Sequence, residues 1–143
     1  MSDRTIRCGY VSAVDYDKGY VQITYPDLDD AVSDWLPMLD VGTEYKMPRV
    51  GQQMVTMHLP NGMDSGFALG SYWSEDDKPK ATGAGVFRKD MGDGCWMEFN
   101  GGTLTIKANK IILDAGTVEV TGDIEGSGTI KGMKVDGCSG CGG

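Results

Sequence analysis

The sequence predicts an all-β protein, with a small closed β-barrel in its first half and a rod of very short strands near its C-terminus. Three observations support this prediction. Apolar and polar residues alternate along several short segments, a period that is typical of half-buried strands. Glycine is abundant, with 22 copies in 143 residues, and it recurs between those segments, where turns favour it. No long window places apolar residues three or four apart, as an amphipathic helix requires.

The stretch at residues 100–135 contains a regular repeat of single short strands. Its apolar residues come in pairs two positions apart, and each pair follows the previous one by seven residues. A seven-residue spacing also occurs in coiled coils, but pairs two apart, set among Thr, Val and Gly, favour strands over a helix. The three pairs are Leu104 with Ile106, Ile111 with Leu113, and Val118 with Val120.

These six residues, called the ridge below, form a narrow apolar line that nothing else in the segment covers. Repeat proteins gain their core by stacking against neighbours, so we expect three copies of the segment to pack around an axis as a triangular prism. Closure around an axis also removes the open strand edges that promote aggregation. The alternative is an ordinary β-meander that lies on the rest of the protein.

Five strand patterns precede the rod. The first two flank a turn at residues 15–19, and the third, at 32–37, ends at a proline, which cannot continue a central strand. The fourth and fifth, at 52–59 and 65–73, are separated by a Pro-Asn-Gly turn. Five short strands with tight turns in about seventy residues are typical of a small closed barrel.

A polar stretch at residues 74–84 follows the fifth strand and indicates a linker. After it, residues 86–99 predict a hairpin around a Gly-Asp-Gly turn, which leads into the rod. The predicted organisation is therefore a barrel domain at 1–75, a linker and hairpin at 76–99, and a spike at 100–143.

The chain is acidic, with a net charge of -8 and an isoelectric point of about 4.5. Nonspecific nucleic-acid binding depends on Lys and Arg that neutralise phosphates, so nucleic acid is not an expected partner. No run of about 18 apolar residues predicts a transmembrane helix, and the N-terminus lacks the apolar core of a signal peptide. We therefore expect the protein to fold in a cytoplasm.

Five short motifs follow one another in the first 75 residues, in front of the rod. They are Gly9-x-Val11, Gly19-x-Val21-x-Ile23, Ser33-Asp34-Trp35-Leu36-Pro37, Pro48-x-Val50-Gly51 with Val55, and Gly66-x-Ala68-Leu69-Gly70-Ser71. In this order, and followed by a repeat rod, they resemble the N-terminal barrel of the phage baseplate assembly protein V family. The same pattern is shared by the spike proteins of contractile tails and of type VI secretion systems.

This resemblance implies a five-stranded barrel of the oligonucleotide/oligosaccharide-binding (OB) type, followed by an intertwined trimeric β-helix or β-prism needle. It also implies a structural role without enzymatic activity, as the central spike of a contractile phage-tail-like particle assembled in the bacterial cytoplasm. The barrel of the homotrimer would dock on the baseplate hub, and the needle would pierce the outer membrane or envelope of a target cell. Two other functions stay open: an OB-type binding module for oligosaccharide or nucleic acid, and a small metal or redox carrier.

The sequence offers few candidates for catalysis. His58 is the single histidine, no nucleophile stands beside it, and its place on an alternating strand favours a structural role. Asp27, Asp29 and Asp30 lack the spacing of a calcium loop and are expected to form a solvated acidic loop.

Other residues are expected to be buried. Aromatic side chains contribute large apolar areas to cores and interfaces, so we expect Trp35 and Trp73 to lie in the barrel core or in a subunit contact. Cys8 and Cys95 are expected to be buried small apolar groups, as unpaired cysteines in a cytoplasm usually are.

The C-terminal tip contains Cys138 and Cys141 in a CxxC spacing. Related spikes end in a His-x-His motif that binds iron on the threefold axis, and this chain has no such motif. One CxxC supplies only two ligands, but a trimer would bring six thiolates to one axis, and thiolates favour zinc, copper(I) or iron-sulfur chemistry. The sequence thus predicts an iron or iron-sulfur centre at the trimer tip, with zinc as the alternative metal. A disulfide within each chain and a plain glycine-rich tail are the competing interpretations.

Overall fold

The structure is a computed structural model of the single chain, and it describes residues 5–60, 65–132, 134, 136 and 137. The described residues form nine β-strands and one short 3-10 turn, Pro26–Leu28. The all-β prediction is therefore confirmed. The chain divides into two compact units, Met1–Thr82 and Gly83–Gly143, called unit 1 and unit 2 below. In the part of the chain that the structure describes, no helix is long and apolar enough to cross a membrane.

Unit 1 contains one sheet with the strand order β3-β2-β1-β5-β6, in which all neighbours are antiparallel, and β4 also pairs with β2. A bridge connects the segment after β4 to β6, because the amide of Leu39 donates to the carbonyl of Ala68 over 3.0 Å. The strands are β1 (Ile6–Asp15), β2 (Tyr20–Tyr25), β3 (Ala31–Val32), β4 (Leu36–Pro37), β5 (Gln53–His58) and β6 (Gly66–Gly70).

The turn between β1 and β2 is built by Asp15 and Gly19. The Asp15 carboxylate accepts hydrogen bonds from the amides of Asp17 and Lys18, each over 3.1 Å, so the side chain replaces a backbone turn bond. Gly19 has a φ of 74°, a conformation that glycine adopts at little cost. These local interactions explain why the hairpin predicted around residues 15–19 is confirmed.

The single strand predicted at residues 32–37 is wrong, because the structure has two strands of two residues there. Ser33 lies between them and is buried. Its hydroxyl accepts the amide proton of Ile23 over 2.9 Å and donates to the carbonyl of Asp34 over 2.7 Å. Side-chain bonds of this kind compete with the regular ladder and interrupt the strand.

The core of unit 1 lies on the inward face of this sheet. Val21, Ile23 and Tyr25 alternate along β2 and are fully buried, while the residues between them are half-buried. Gly9 of β1 faces the same interior, where its backbone touches β2. The remaining buried apolar residues of the core are Val11, Leu36, Met54 and Ala68.

Unit 2 begins with an antiparallel meander of β7 (Phe87–Gly92), β8 (Cys95–Asn100) and β9 (Thr103–Lys107). The hairpin predicted around a Gly-Asp-Gly turn is confirmed, and Asp93 and Gly94 adopt positive φ angles of 53° and 75° there. Residues 108–132 form no strand within the chain. The described part of the single chain therefore shows no β-helix, and the intertwined needle remains a prediction.

Candidate functional surfaces

A buried cluster of polar side chains lies at the junction of β2 and β5. Alternation along β5 turns Thr56 and His58 inward, and Tyr25 ends β2 beside them. The Tyr25 hydroxyl lies 2.6 Å from His58 Nε2 and 2.7 Å from Thr56 Oγ1, and Thr56 Oγ1 lies 3.2 Å from His58 Nε2. The aromatic ring of Tyr25 also meets the imidazole edge to face at 5.6 Å. These contacts connect two strands that are not neighbours in the sheet.

The environment keeps this cluster neutral. Burial lowers the pKa of His58, the nearby Arg7 guanidinium lowers it further, and the backbone of Ser65 opposes the shift. Burial raises the pKa of Tyr25, although its bond with Thr56 counteracts part of that effect. At neutral pH the phenol therefore keeps its proton and the imidazole is uncharged. Since the polar tips contact one another in the interior, the arrangement is suited to holding strands together.

Arg7 is the member of this region that sequence reasoning missed. Its side chain is only 4% exposed, lies with its guanidinium carbon 6.0 Å from the centre of the Tyr25 ring, and is 3.9 Å from the exposed Asp27 carboxylate. The only hint in the sequence is its alternation with Gly9 and Val11, both of which face inward. A charged residue is rarely buried, so its type gives no signal of this position.

The outward face of β1, β5 and β6 is apolar, and it is called the outer face below. The pairing of the strands aligns Ile6 with Met57 and Met57 with Phe67. Ile6 is 60% exposed and Tyr10 is 44% exposed, although both are large and apolar. A surface of this kind on a soluble protein commonly marks an interaction site.

The predicted burial of four residues is not observed within the chain. Trp35 and Trp73 are exposed, so neither belongs to the core of unit 1. The alternative expectation, that they lie in a contact between subunits, stays a prediction. Cys8 is exposed and Cys95 is half-buried, so the expectation of buried cysteines is wrong. Cys8 lies on the outward face of β1, whose alternate residues are buried, whereas Cys95 lies on β8, in which no residue is fully buried.

Three of the five residues considered as metal ligands lie in the described part of the chain. Asp27 faces Arg7, while Asp29 and Asp30 lie in an exposed loop with positive φ angles of 54° and 58°. Over residues 5–60 and 65–132, with 134, 136 and 137, no group of three His, Cys, Asp or Glu side chains is arranged to hold a metal ion. Cys138 and Cys141 lie outside the described residues.

The ridge is an uncovered apolar feature of unit 2. Every one of its six side chains is exposed, with fractions between 48% for Ile106 and 70% for Leu113. Residues 108–132, which carry most of it, are exposed throughout. Within the described residues, no other segment buries the apolar side chains of this stretch.

No protein-family model matches the chain, and no curated protein matches it significantly. Function is therefore inferred from the motifs and the surfaces of the chain itself.

Proposed function

We propose that this protein is the central spike of a contractile phage-tail-like particle, formed by three copies of the chain. The observation that carries the proposal is the ridge: a regular apolar line, exposed throughout, whose last four residues lie on a segment that forms no strand pairs of its own. Three copies around an axis would turn the ridge inward and supply the missing strand partners. Of the residues between the paired ridge positions, the polar Thr105 and Glu119 would then face solvent, and so would Ile112.

Unit 1 would form the end that docks on the baseplate hub. Its strand order, together with the bridge from Leu39 to Ala68 that connects the segment after β4 with β6, supports a closed barrel of the OB type. The outer face, with Ile6, Tyr10 and Met57, presents an uncharged apolar surface to a partner. The hub is the occupant that the family resemblance implies for this end.

The needle end would be driven into the envelope or outer membrane of a target cell by contraction of the tail. This role requires stiffness and no chemical step, so we propose no enzymatic activity. At the tip, Cys138 and Cys141 of three chains would supply six thiolates, a donor set that suits an iron or iron-sulfur centre, with zinc as the alternative. Such a centre would tie the three chain ends together.

The trimer is tested with a pair of neighbouring substitutions. Ile111→Asp places a charge on the ridge, whereas Ile112→Asp places the same charge on the opposite face, where the side chain is 73% exposed. We expect light scattering to give a trimer for the unsubstituted protein and for Ile112→Asp, and a dissociated chain for Ile111→Asp, because an unpaired buried charge costs several kcal/mol. A monomeric mass for the unsubstituted protein at micromolar concentration would refute the proposal.

A further inference from the structure

The meander of β7, β8 and β9 has two faces of opposite character. On one face, the pairing aligns Arg88 with Glu98 and Asp90 with Trp96. The Arg88 guanidinium donates to Glu98 over 3.1 Å and to Asp90 over 3.2 Å, and it lies 4.3 Å above the Trp96 ring. The charges of Arg88, Asp90 and Glu98 are thus paired within the chain.

The other face is apolar and uncovered, and it is called the collar face below. It consists of two rows across the three strands, and Lys89 is the one charged residue in them. Leu104 and Ile106 belong both to the collar face and to the ridge. The rows are Phe87, Phe99 and Leu104, and Lys89, Met97 and Ile106.

The exposed area of the collar face is large for a lone chain. Phe87 is 53% exposed and Phe99 is 42% exposed. Leu104 and Ile106 are also about half exposed. Since a large apolar side chain offers on the order of 150–250 Å², these four half-exposed side chains present roughly 300–500 Å² of apolar surface. Soluble monomers rarely expose a continuous apolar patch above a few hundred Å². The collar face is therefore expected to be covered.

The collar face and the ridge share β9, and this indicates what covers the collar face. Because Leu104 and Ile106 point to the same side as Phe99 and Met97, whatever covers the start of the ridge also covers the collar face. In the proposed function the ridge is covered by copies of the same chain. A nearly uncharged face also suits contact between identical chains that each carry a net charge of -8.

The ridge by itself does not fix how the copies align. The pairs at residues 104–106, 111–113 and 118–120 are nearly interchangeable, so a copy shifted by seven residues would still place aliphatic residues against aliphatic residues. Strand register is weakly specified in such glycine-rich repeats. The collar face, in contrast, contains two phenylalanines and occurs once, so a shifted copy would leave its aromatic row uncovered.

We propose that the collar face is buried between copies of this chain and sets the register in which the three rods align. This inference rests on the proposed trimer and assigns a role to the hairpin that precedes the rod. Because the collar face occurs once in each chain, its burial between copies allows the repeats that follow it to pair in one alignment only.

The test measures the register in the full-length protein. A spin-labelled amino acid is incorporated genetically at the exposed Thr121, and distances between labels are measured by pulsed electron paramagnetic resonance. Three chains in register form a symmetric triangle of labels, which gives one distance. A chain that has slipped breaks the symmetry and adds further distances.

The decisive variant is Phe87→Ser with Phe99→Ser. We expect it to lose the single distance, either because slipped trimers form or because the trimer dissociates at a concentration where the unsubstituted protein does not. Phe87→Leu with Phe99→Leu keeps the face apolar and is expected to keep the single distance. Tyr16→Ser, which removes an aromatic side chain that is 62% exposed in unit 1, is the matched control and is expected to have no effect.

The outcomes separate the two proposals. A Phe87→Ser, Phe99→Ser trimer with one unchanged distance and unchanged dissociation would overturn the role of the collar face and leave the trimer intact. An unsubstituted protein that is monomeric would refute the proposed trimer itself.

Discussion

Replacing Tyr25 with Phe removes one hydroxyl from the buried cluster and tests how that cluster supports unit 1. The hydroxyl lies 2.6 Å from His58 Nε2 and 2.7 Å from Thr56 Oγ1, so two hydrogen bonds of about 1 kcal/mol each are lost. A buried acceptor left without any partner would cost about 1–3 kcal/mol more. However, Thr56 Oγ1 already lies 3.2 Å from His58 Nε2 and can direct its proton there. We therefore expect the free energy of unfolding to fall by about 1–2 kcal/mol.

The measurement is thermal unfolding of the full-length protein, followed by circular dichroism. For a domain of this size, 1 kcal/mol corresponds to about 4–8 °C in the transition of unit 1. Tyr20→Phe is the control, because Tyr20 lies on the opposite face of the same strand. The double variant Tyr25→Phe, Thr56→Val removes both hydroxyls near His58 and is expected to cost more than the two single changes together. Strict additivity, or a Tyr25→Phe protein as stable as Tyr20→Phe, would refute this account of the cluster.

Three further predictions concern unit 1 and the tip. In Gly9→Ala the new Cβ would lie 2.5 Å from the carbonyl oxygen of Thr24, so we expect a loss of about 1–3 kcal/mol or more in thermal unfolding. The fold lowers the pKa of His58, so the unfolded chain protonates this imidazole at a higher pH than the folded chain does. The free energy of unfolding is therefore at its full value above pH 6.5, the ordinary histidine value, and decreases as the pH falls below it. His58→Gln should flatten this part of the stability profile, and an unchanged profile would contradict the assignment. Anaerobically purified protein should contain iron or zinc at one centre per trimer, and the double variant Cys138→Ser, Cys141→Ser should lack this metal. Elemental analysis that finds no metal in the intact protein would refute the tip proposal.

The local features of this protein were predictable from the sequence. Residues 15–19 and the Gly-Asp-Gly turn at 92–94 predict hairpins, and both hairpins are present. Turn formation depends on neighbouring residues, such as the Asp15 carboxylate that accepts the amide of Lys18. Alternation is likewise local, and it sufficed to predict β2 directly after that turn and to place β5, predicted at 52–59, to within one residue at each end.

The interruption at Ser33 was not predictable in the same way. The pattern at residues 32–37 reads as one strand, yet the Ser33 hydroxyl accepts a hydrogen bond from the amide of Ile23, ten residues earlier. Whether a serine hydroxyl finds such a donor depends on where the neighbouring strand runs. Only the folded sheet supplies that information.

The composition of the site was decided by tertiary structure as well. Alternation divides β5 into two sets but does not say which set faces inward, and the more apolar set, with Val55 and Met57, lies outside. Thr56 and His58 are buried because Tyr25 reaches them from β2 with a matching hydroxyl. The sequence thus determined β2, β5, the two hairpin turns and the ridge, since these depend on residues close together in the chain. The inward face depends on partners brought from distant strands, because a buried polar group is stable only where those partners meet it.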